Sequence, residues 1–288
     1  MTLLPMAELL QRAYNEKYIV GAFSSWNIEM VKANLESAIE EESPIILESG
    51  HFTKGFTNPV MDPLIPSIKL LTKNVKIPVA IHLDHASNLQ TIMQGIRLGV
   101  TSVMIDGSHL TFEENVMLTR NVVEIAHSVG VSVEAEFGRL TKAEDGKHFE
   151  FEESNLTDPR GASEFVNKTK VDALAVSVGN VHGLYESKAQ IDFDRVKAIN
   201  DLVGIPLVLH GGSGIPEEAV KKLRRIGVSK INIGHAVQIA FTNGLRKALS
   251  VNLETAINPI LVFESARKEM KREVKKRIKM FGSSRKSF

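Results

Sequence analysis

Short apolar runs and helix-like segments alternate along this chain, and that alternation limits the fold more than any other feature. Strand-like runs fall at 18–23, 44–47, 78–85, 101–105, 131–137, 173–178, 206–209 and 230–233, with helical spacing between them at 27–42, 66–73, 88–98, 112–128, 162–167, 193–202 and 216–226. A helix at 6–16 precedes the first strand and one at 236–248 follows the last. Single helices between strands force parallel pairing with right-handed crossovers. Eight such strands predict an α/β fold, a single (β/α)8 TIM barrel over residues 1–288 with an extra N-terminal helix and a C-terminal helical extension. An open doubly wound sheet is the alternative, but the first strand-to-helix turn carries no G-x-G-x-x-G.

In a barrel of this kind the chemistry sits at the carboxyl ends of the strands. Here those ends are polar. The third strand, V-A-I-H-L-D-H-A, finishes in His82, Asp84 and His85; the fourth is followed by Asp106, Ser108 and His109; the fifth carries Glu134 and Glu136. Asn180 and His182 follow the sixth, His210 and Ser213 the seventh, and Asn232 and His235 stand at the eighth. His85, His182 and His210 come from separate strand ends, and three imidazoles with an open fourth position are a catalytic zinc arrangement; three unrelated capping histidines are the alternative. On a regular strand His82 and Asp84 share a face while His85 points away, so for His85 to join them the strand has to end or bend there. His-Gly-Gly-Ser-Gly at 210–214, just before the helix near Pro216, reads as a phosphate cradle or as a plain tight turn.

Composition removes several function classes. With 35 basic and 34 acidic residues the net charge is +1, which gives no global attraction to nucleic acid or an anionic membrane. The chain has no cysteine, which excludes thiolate nucleophiles and Cys-type metal centres and leaves His, Asp and Glu as ligands. No apolar run approaches the ~18 residues of a membrane span, and the N-terminus lacks a signal-peptide pattern. The expectation is a cytoplasmic, soluble protein. The polar stretch at 140–158 reads as a mobile, functional loop, and the basic segment at 264–280 as a solvated surface helix.

The blocks H-L-D-H, S-V-M-I-D-G-S-H, V-E-A-E-F-G, G-N-V-H-G-L-Y and L-H-G-G-S-G-I-P, in this order, resemble the class II, zinc-dependent ketose-bisphosphate aldolases. The resemblance implies a homodimer or homotetramer, with the C-terminal helix at about 254–282 in oligomer contacts. It implies reversible cleavage of a ketose phosphate to dihydroxyacetone phosphate and an aldehyde. By the same resemblance His85, His182 and His210 hold the zinc ion, and Asp106 and Glu136 match a second or displaced metal position. Asp84 is the implied acid/base at a substrate hydroxyl, and Glu144 the group that moves a proton at carbon. Ser49, Gly183, Gly211, Gly212, Ser213, Asn232, Gly234 and His235 match substrate- and phosphate-binding positions, which in this family also hold a monovalent cation, Na+ or K+.

Three departures stand out: Ser24-Ser25-Trp26 at the first strand, Thr141-Lys142 in place of a Gly-Gly hinge, and Gly234-His235 at the eighth strand. They predict an anionic substrate other than fructose 1,6-bisphosphate, read by His235 and Lys142. The rival readings are an imine-forming aldolase, a metal-dependent hydrolase and a noncatalytic sugar-phosphate-binding barrel. Lys230, the one lysine within the predicted strands, is placed at the start of the eighth, the wrong end for an imine.

Overall fold

The computed structural model describes residues 3–49, 61–139, 153–180 and 191–288. Among these, eight parallel strands close into one barrel in sequence order, β1 pairing with both β2 and β8. The strands are β1 (Val20–Ser24), β2 (Ile45–Ser49), β3 (Val79–Ala86), β4 (Ser102–Ile105), β5 (Ser132–Phe137), β6 (Ala173–Val176), β7 (Leu207–Leu209) and β8 (Val228–Ile233). The helices are α1 (Met6–Glu16), α2 (Ile28–Glu40), α3 (Met61–Thr72), α4 (Leu89–Leu98), α5 (Phe112–Ser128) and α6 (Pro159–Thr169). They continue as α7 (Phe193–Val203), α8 (Glu217–Leu223), α9 (His235–Leu249), α10 (Leu253–Ile257) and α11 (Pro259–Phe281).

Local chemistry sets these boundaries. Asn27 and Asn88 cap α2 and α4 by accepting the N–H of Met30 and Thr91, each at 2.9 Å. Thr111 and Glu114 form a reciprocal capping box at α5, and Pro159 follows the Asp158 cap of α6. Two prolines hide the start of α3 in the sequence: the predicted helix begins at Pro66, whereas the observed one begins at Met61 and carries Pro66 inside. The segment at 140–152 lies outside the described residues, as do Gly50 and residues 51–60 and 181–190.

The barrel interior has two halves. At the amino ends of the strands, Val20, Ala22, Ile46, Ala80, Met104, Ala173, Ala175 and Val208 pack against Met6, Leu9 and Leu10 of α1. The extra N-terminal helix is therefore the plug of the barrel floor, fixed by Leu4 N–H to the Val79 carbonyl (3.0 Å) and Ala7 N–H to Ser132 Oγ (3.0 Å). Above this floor Ser24, Glu48, His82, Asp84, Glu134, Lys230 and Asn232 are all buried, and they bond to one another across the barrel. The charged interior of the upper half is what positions the site.

The basic C-terminal segment is more than a solvated face. α11 buries Ala266, Met270, Val274, Ile278 and Phe281 and lies along α9 and α2. Its cations meet the acidic edge of α2: Arg267 pairs with Glu29, Lys271 with Glu36 and Glu40, and Lys275 with Glu40.

Candidate active site

His85 reaches the barrel mouth because β3 breaks its alternation. Its φ is 48°, in the left-handed region, and the register between β3 and β4 shifts between Leu83 and Ala86. This is the bend that the sequence demanded, and a bulge of this kind re-aims one side chain. The His85 ring then lies edge-on to His210, centroids 4.6 Å apart, and its Nδ1 is 3.1 Å from Asp106 Oδ2. Asp106 is in turn held by Ser108, whose Oγ donates to Oδ1 at 2.7 Å.

Ligand atoms of Asp84, His85 and His210 all lie within 4.8 Å of one another, as do those of His85, Asp106 and Glu136. Two imidazoles and a carboxylate in one cluster, with two further carboxylates sharing His85, are a donor set that fits a divalent first-row metal. His182, Gly183, Glu144 and Lys142 lie outside the described residues. The remaining expected residues fall at the same end of the barrel. Asn232 donates its amide to Asp84 Oδ1 at 3.3 Å, and the same nitrogen is 3.2 Å from His210 Nδ1. Ser49 is buried at the end of β2.

The turn after β7 is tight for a packing reason. Gly211 takes φ 70°, and a side chain at Gly212 would collide with Ile231 of β8, 2.0 Å from its Cβ. Ser213 Oγ accepts the Ala236 N–H at 3.1 Å, which ties the turn to the first turn of α9. On the other side Arg277 of α11 donates to the Ser213 carbonyl at 3.0 Å. His235 is exposed at the start of α9, and Gly234 sits beside Ser24, the hydroxyl lying 3.2 Å from where a Cβ would stand. Two of the three sequence departures are thus neighbours in space.

Beneath the mouth lie Glu48, Glu134 and Lys230, to which the sequence reading gave no role or the wrong place, together with His82, expected there as a packing or supporting residue. β8 begins at Val228, two residues before the predicted start, so Lys230 stands inside the barrel and not at its amino end. Its Nζ donates to Glu134 Oε2 at 2.8 Å, with His82 Nε2 at 3.5 Å and Glu48 Oε1 at 3.8 Å. Glu134 uses its other oxygen on His210 Nε2, 2.9 Å away. His82 Nδ1 meets Ser102 Oγ at 2.7 Å. Strand parity carries the signal for Lys230: Asn232 faces the site, so the residue two before it shares that face.

Charge follows from this arrangement. Burial alone would lower the Lys230 pKa, but the carboxylates of Glu134, Glu48 and Asp84 raise it above the ordinary lysine value. A protonated amine is a poor nucleophile, so these ion pairs disfavour the imine-forming reading, although the position of Lys230 inside the barrel no longer speaks against it. Burial and the Lys230 charge push His82 down to about 3, keeping it neutral. Burial also lowers His210. For His85 burial is outweighed by Asp84, Asp106 and Glu136, which raise it to about 9. Burial and the Asp84 charge raise Glu48 to about 8, whereas Lys230 and His210 hold Glu134 down to about 2 against its burial.

Comparison with known proteins gives one consistent answer. The family described as "Fructose-bisphosphate aldolase class-II" matches residues 4–286. The chain is 41% identical over 293 aligned residues to a fructose-bisphosphate aldolase of Geobacillus stearothermophilus, covering 100% of this chain and 99% of that one. It is 37% identical to a sulfofructosephosphate aldolase of Alkalicoccus urumqiensis, covering 97% and 96%. Among solved structures, the YdjI aldolase of Escherichia coli K12 superposes with a TM-score of 0.87 at 32% identity, covering 99% of this chain and 100% of that one. A putative fructose-1,6-bisphosphate aldolase of Coccidioides immitis gives 0.82 at 30% identity, covering 96% of each chain. Among the described residues no helix is long and apolar enough to cross a membrane. With a whole-length family match, close relatives of matching length and a metal-capable cluster at the carboxyl ends of a closed barrel, the chain belongs to the class II fructose-bisphosphate aldolase family, metal-dependent lyases that act on sugar phosphates.

Proposed function

We propose that this enzyme is a zinc-dependent aldolase that reversibly cleaves a ketose phosphate, or a similar anionic sugar phosphate, to dihydroxyacetone phosphate and an aldehyde. The observation that carries this reading is the joint placement of Asp84, His85 and His210 within 4.8 Å. It sets a carboxylate for proton transfer directly beside two imidazoles. His85 and His210, with His182, would hold the zinc ion, and Asp106 and Glu136 a displaced position that shares His85. When bound, zinc supplies a Lewis acid for the negative charge left beside the carbonyl as the carbon–carbon bond breaks. Asp84, oriented by the Asn232 amide, takes the hydroxyl proton in cleavage and returns it in synthesis. Glu144 is the proposed proton donor to carbon. The Gly211–Ser213 turn, tied to the start of α9, is the proposed phosphate cradle, with Gly183, Asn232, Gly234 and His235 at its rim and a Na+ or K+ ion beside it.

The test is dihydroxyacetone phosphate release with and without a chelator, together with metal analysis. Wild-type protein is expected to contain zinc and to lose turnover on chelation. Asp84→Ala is expected to lower kcat by about 10²–10⁴-fold. Release of inorganic phosphate without carbon fragments would instead support a hydrolase, and no turnover with zinc restored a binding barrel.

Substrate choice is proposed to differ from fructose 1,6-bisphosphate. The adjacency of Gly234 and Ser24 supports this, because two departures then act on one corner of the mouth. Two relatives of similar identity carry two different substrate names, so overall identity does not choose between them. A panel of ketose phosphates ranked by kcat/KM decides, and fructose 1,6-bisphosphate ranking first would sink the idea.

A further inference from the structure

We propose that Lys230 and Glu134 form a positioning pair for His210: the ammonium anchors Glu134, Glu134 accepts the His210 Nε2–H, and the ring is left with its lone pair on Nδ1, toward Asn232 and Asp84. The proposal rests on the reading of His210 as a metal ligand. It concerns two residues that need touch neither metal nor substrate.

The geometry is over-determined. Glu134 spans the gap with both oxygens, Oε1 at 2.9 Å from His210 Nε2 and Oε2 at 2.8 Å from Lys230 Nζ. All three side chains are completely buried, so no water competes for these bonds. A carboxylate only accepts, so the nitrogen facing it must donate, and in a neutral imidazole the other nitrogen must then accept. The second neighbour gives the same answer independently. Asn232 Nδ2 sits 3.3 Å from Asp84 Oδ1, which fixes the NH2 end of the amide there, and the same group lies 3.2 Å from His210 Nδ1. A donor facing Nδ1 requires a lone pair on Nδ1. Both sides of the ring therefore specify one tautomer.

Lys230 decides which way Glu134 points. Its ammonium sits among Glu134, His82 Nε2 at 3.5 Å and Glu48 Oε1 at 3.8 Å, with Glu134 the closest and Glu48 beyond hydrogen-bond reach. Binding Oε2 aims Oε1 at His210. Without the ammonium that oxygen loses its 2.8 Å bond and keeps only His82 Nε2 at 3.7 Å, so the aim of the carboxylate at the ring is loosened. Partners of this kind orient a metal-ligating histidine and set its tautomer, and their loss costs about 10–100-fold in metal affinity.

The tautomer is read directly from long-range ¹H–¹⁵N spectra of metal-free protein labelled with ¹⁵N-histidine, the His210 signals being assigned by their absence in His210→Gln. The expected wild-type pattern has the proton on Nε2. Cobalt(II) chloride titrations, followed by the visible absorption of the bound ion, give metal affinity for wild type, Glu134→Gln and Lys230→Met. Glu134→Gln is expected to keep the circular dichroism spectrum and to bind cobalt about 10–100-fold more weakly with a changed band shape. Lys230→Met is expected to behave alike; if it does not fold, the wild-type tautomer and Glu134→Gln still decide. A wild-type proton on Nδ1, or a Glu134→Gln affinity within about twofold of wild type, overturns the proposal. Wild-type protein that binds no cobalt overturns instead the metal reading of the site, and with it the purpose assigned to the pair.

Discussion

Glu48 is the odd carboxyl in the barrel interior. One cation, Lys230, serves several acids; it takes Glu134 at 2.8 Å and leaves Glu48 at 3.8 Å, with Ser24 Oγ donating to its other oxygen at 3.1 Å. Burial and the nearby Asp84 charge therefore raise its pKa to about 8, so the folded protein keeps a proton that the unfolded chain releases near 4.5. Stability from this group is complete below the unfolded value and is lost as pH rises through the window up to the folded one. Glu48→Gln removes the titration while imitating the neutral acid. Its stability relative to wild type is expected to climb by a few kcal/mol between about pH 5 and pH 8, read as a melting-temperature difference that grows by roughly 5–10 °C. A difference that stays flat over this range would show Glu48 to be charged throughout. None of this was legible in the sequence, because Glu48, Glu134 and Lys230 meet only across a closed barrel. Asp84, His85 and His210 were legible because each stands at a strand end, where an ionisable group after an apolar run has few structural excuses.

At the scale of elements, periodicity found all eight strands, while the errors came where local chemistry departs from it. The inward turn of His85 was legible only as a condition, since a bulge with φ 48° leaves no mark on alternation. The start of α3 was hidden by prolines, and the early start of β8 by the short Val228-Ser229 step after Gly227, whose φ of 103° marks the true boundary. α11 shows which forces hold an added element in place. Met270 is completely buried, whereas Lys271 bonds Glu36 at 2.9 Å and Glu40 at 2.7 Å from a partly exposed position. Deleting buried methylenes leaves a cavity, whereas solvent screens exposed ion pairs. Met270→Ala is therefore expected to lower unfolding free energy by about 2–5 kcal/mol and Lys271→Ala by less than ~1 kcal/mol in urea titrations. Equal losses would mean that charge, not packing, docks the helix.

Over the whole molecule, one surface does not make sense for an isolated chain. Leu249, Val251, Leu253, Ile257 and Ile260 run from the end of α9 through α10 into α11, and they are 56%, 61%, 75%, 71% and 72% exposed. α10 itself buries none of its residues, although Leu253 and Ile257 stand one turn apart on it. A five-residue helix has no intrinsic stability in water and normally forms because an apolar face is covered. A contiguous exposed patch of this kind marks an interaction surface. We propose that the homodimer or homotetramer implied by the family resemblance would supply the cover, since the patch falls in the C-terminal region where that resemblance puts oligomer contacts. Wild-type protein is expected to show two or four times the chain mass by light scattering after size exclusion. Leu253→Ser, Ile257→Ser and Ile260→Ser combined are expected to shift that mass toward one chain while the far-ultraviolet circular dichroism changes little, since the barrel and the α11 core lie elsewhere. A wild-type monomer, or a triple variant with unchanged mass, would place the oligomer contacts on another face and leave α10 without a partner.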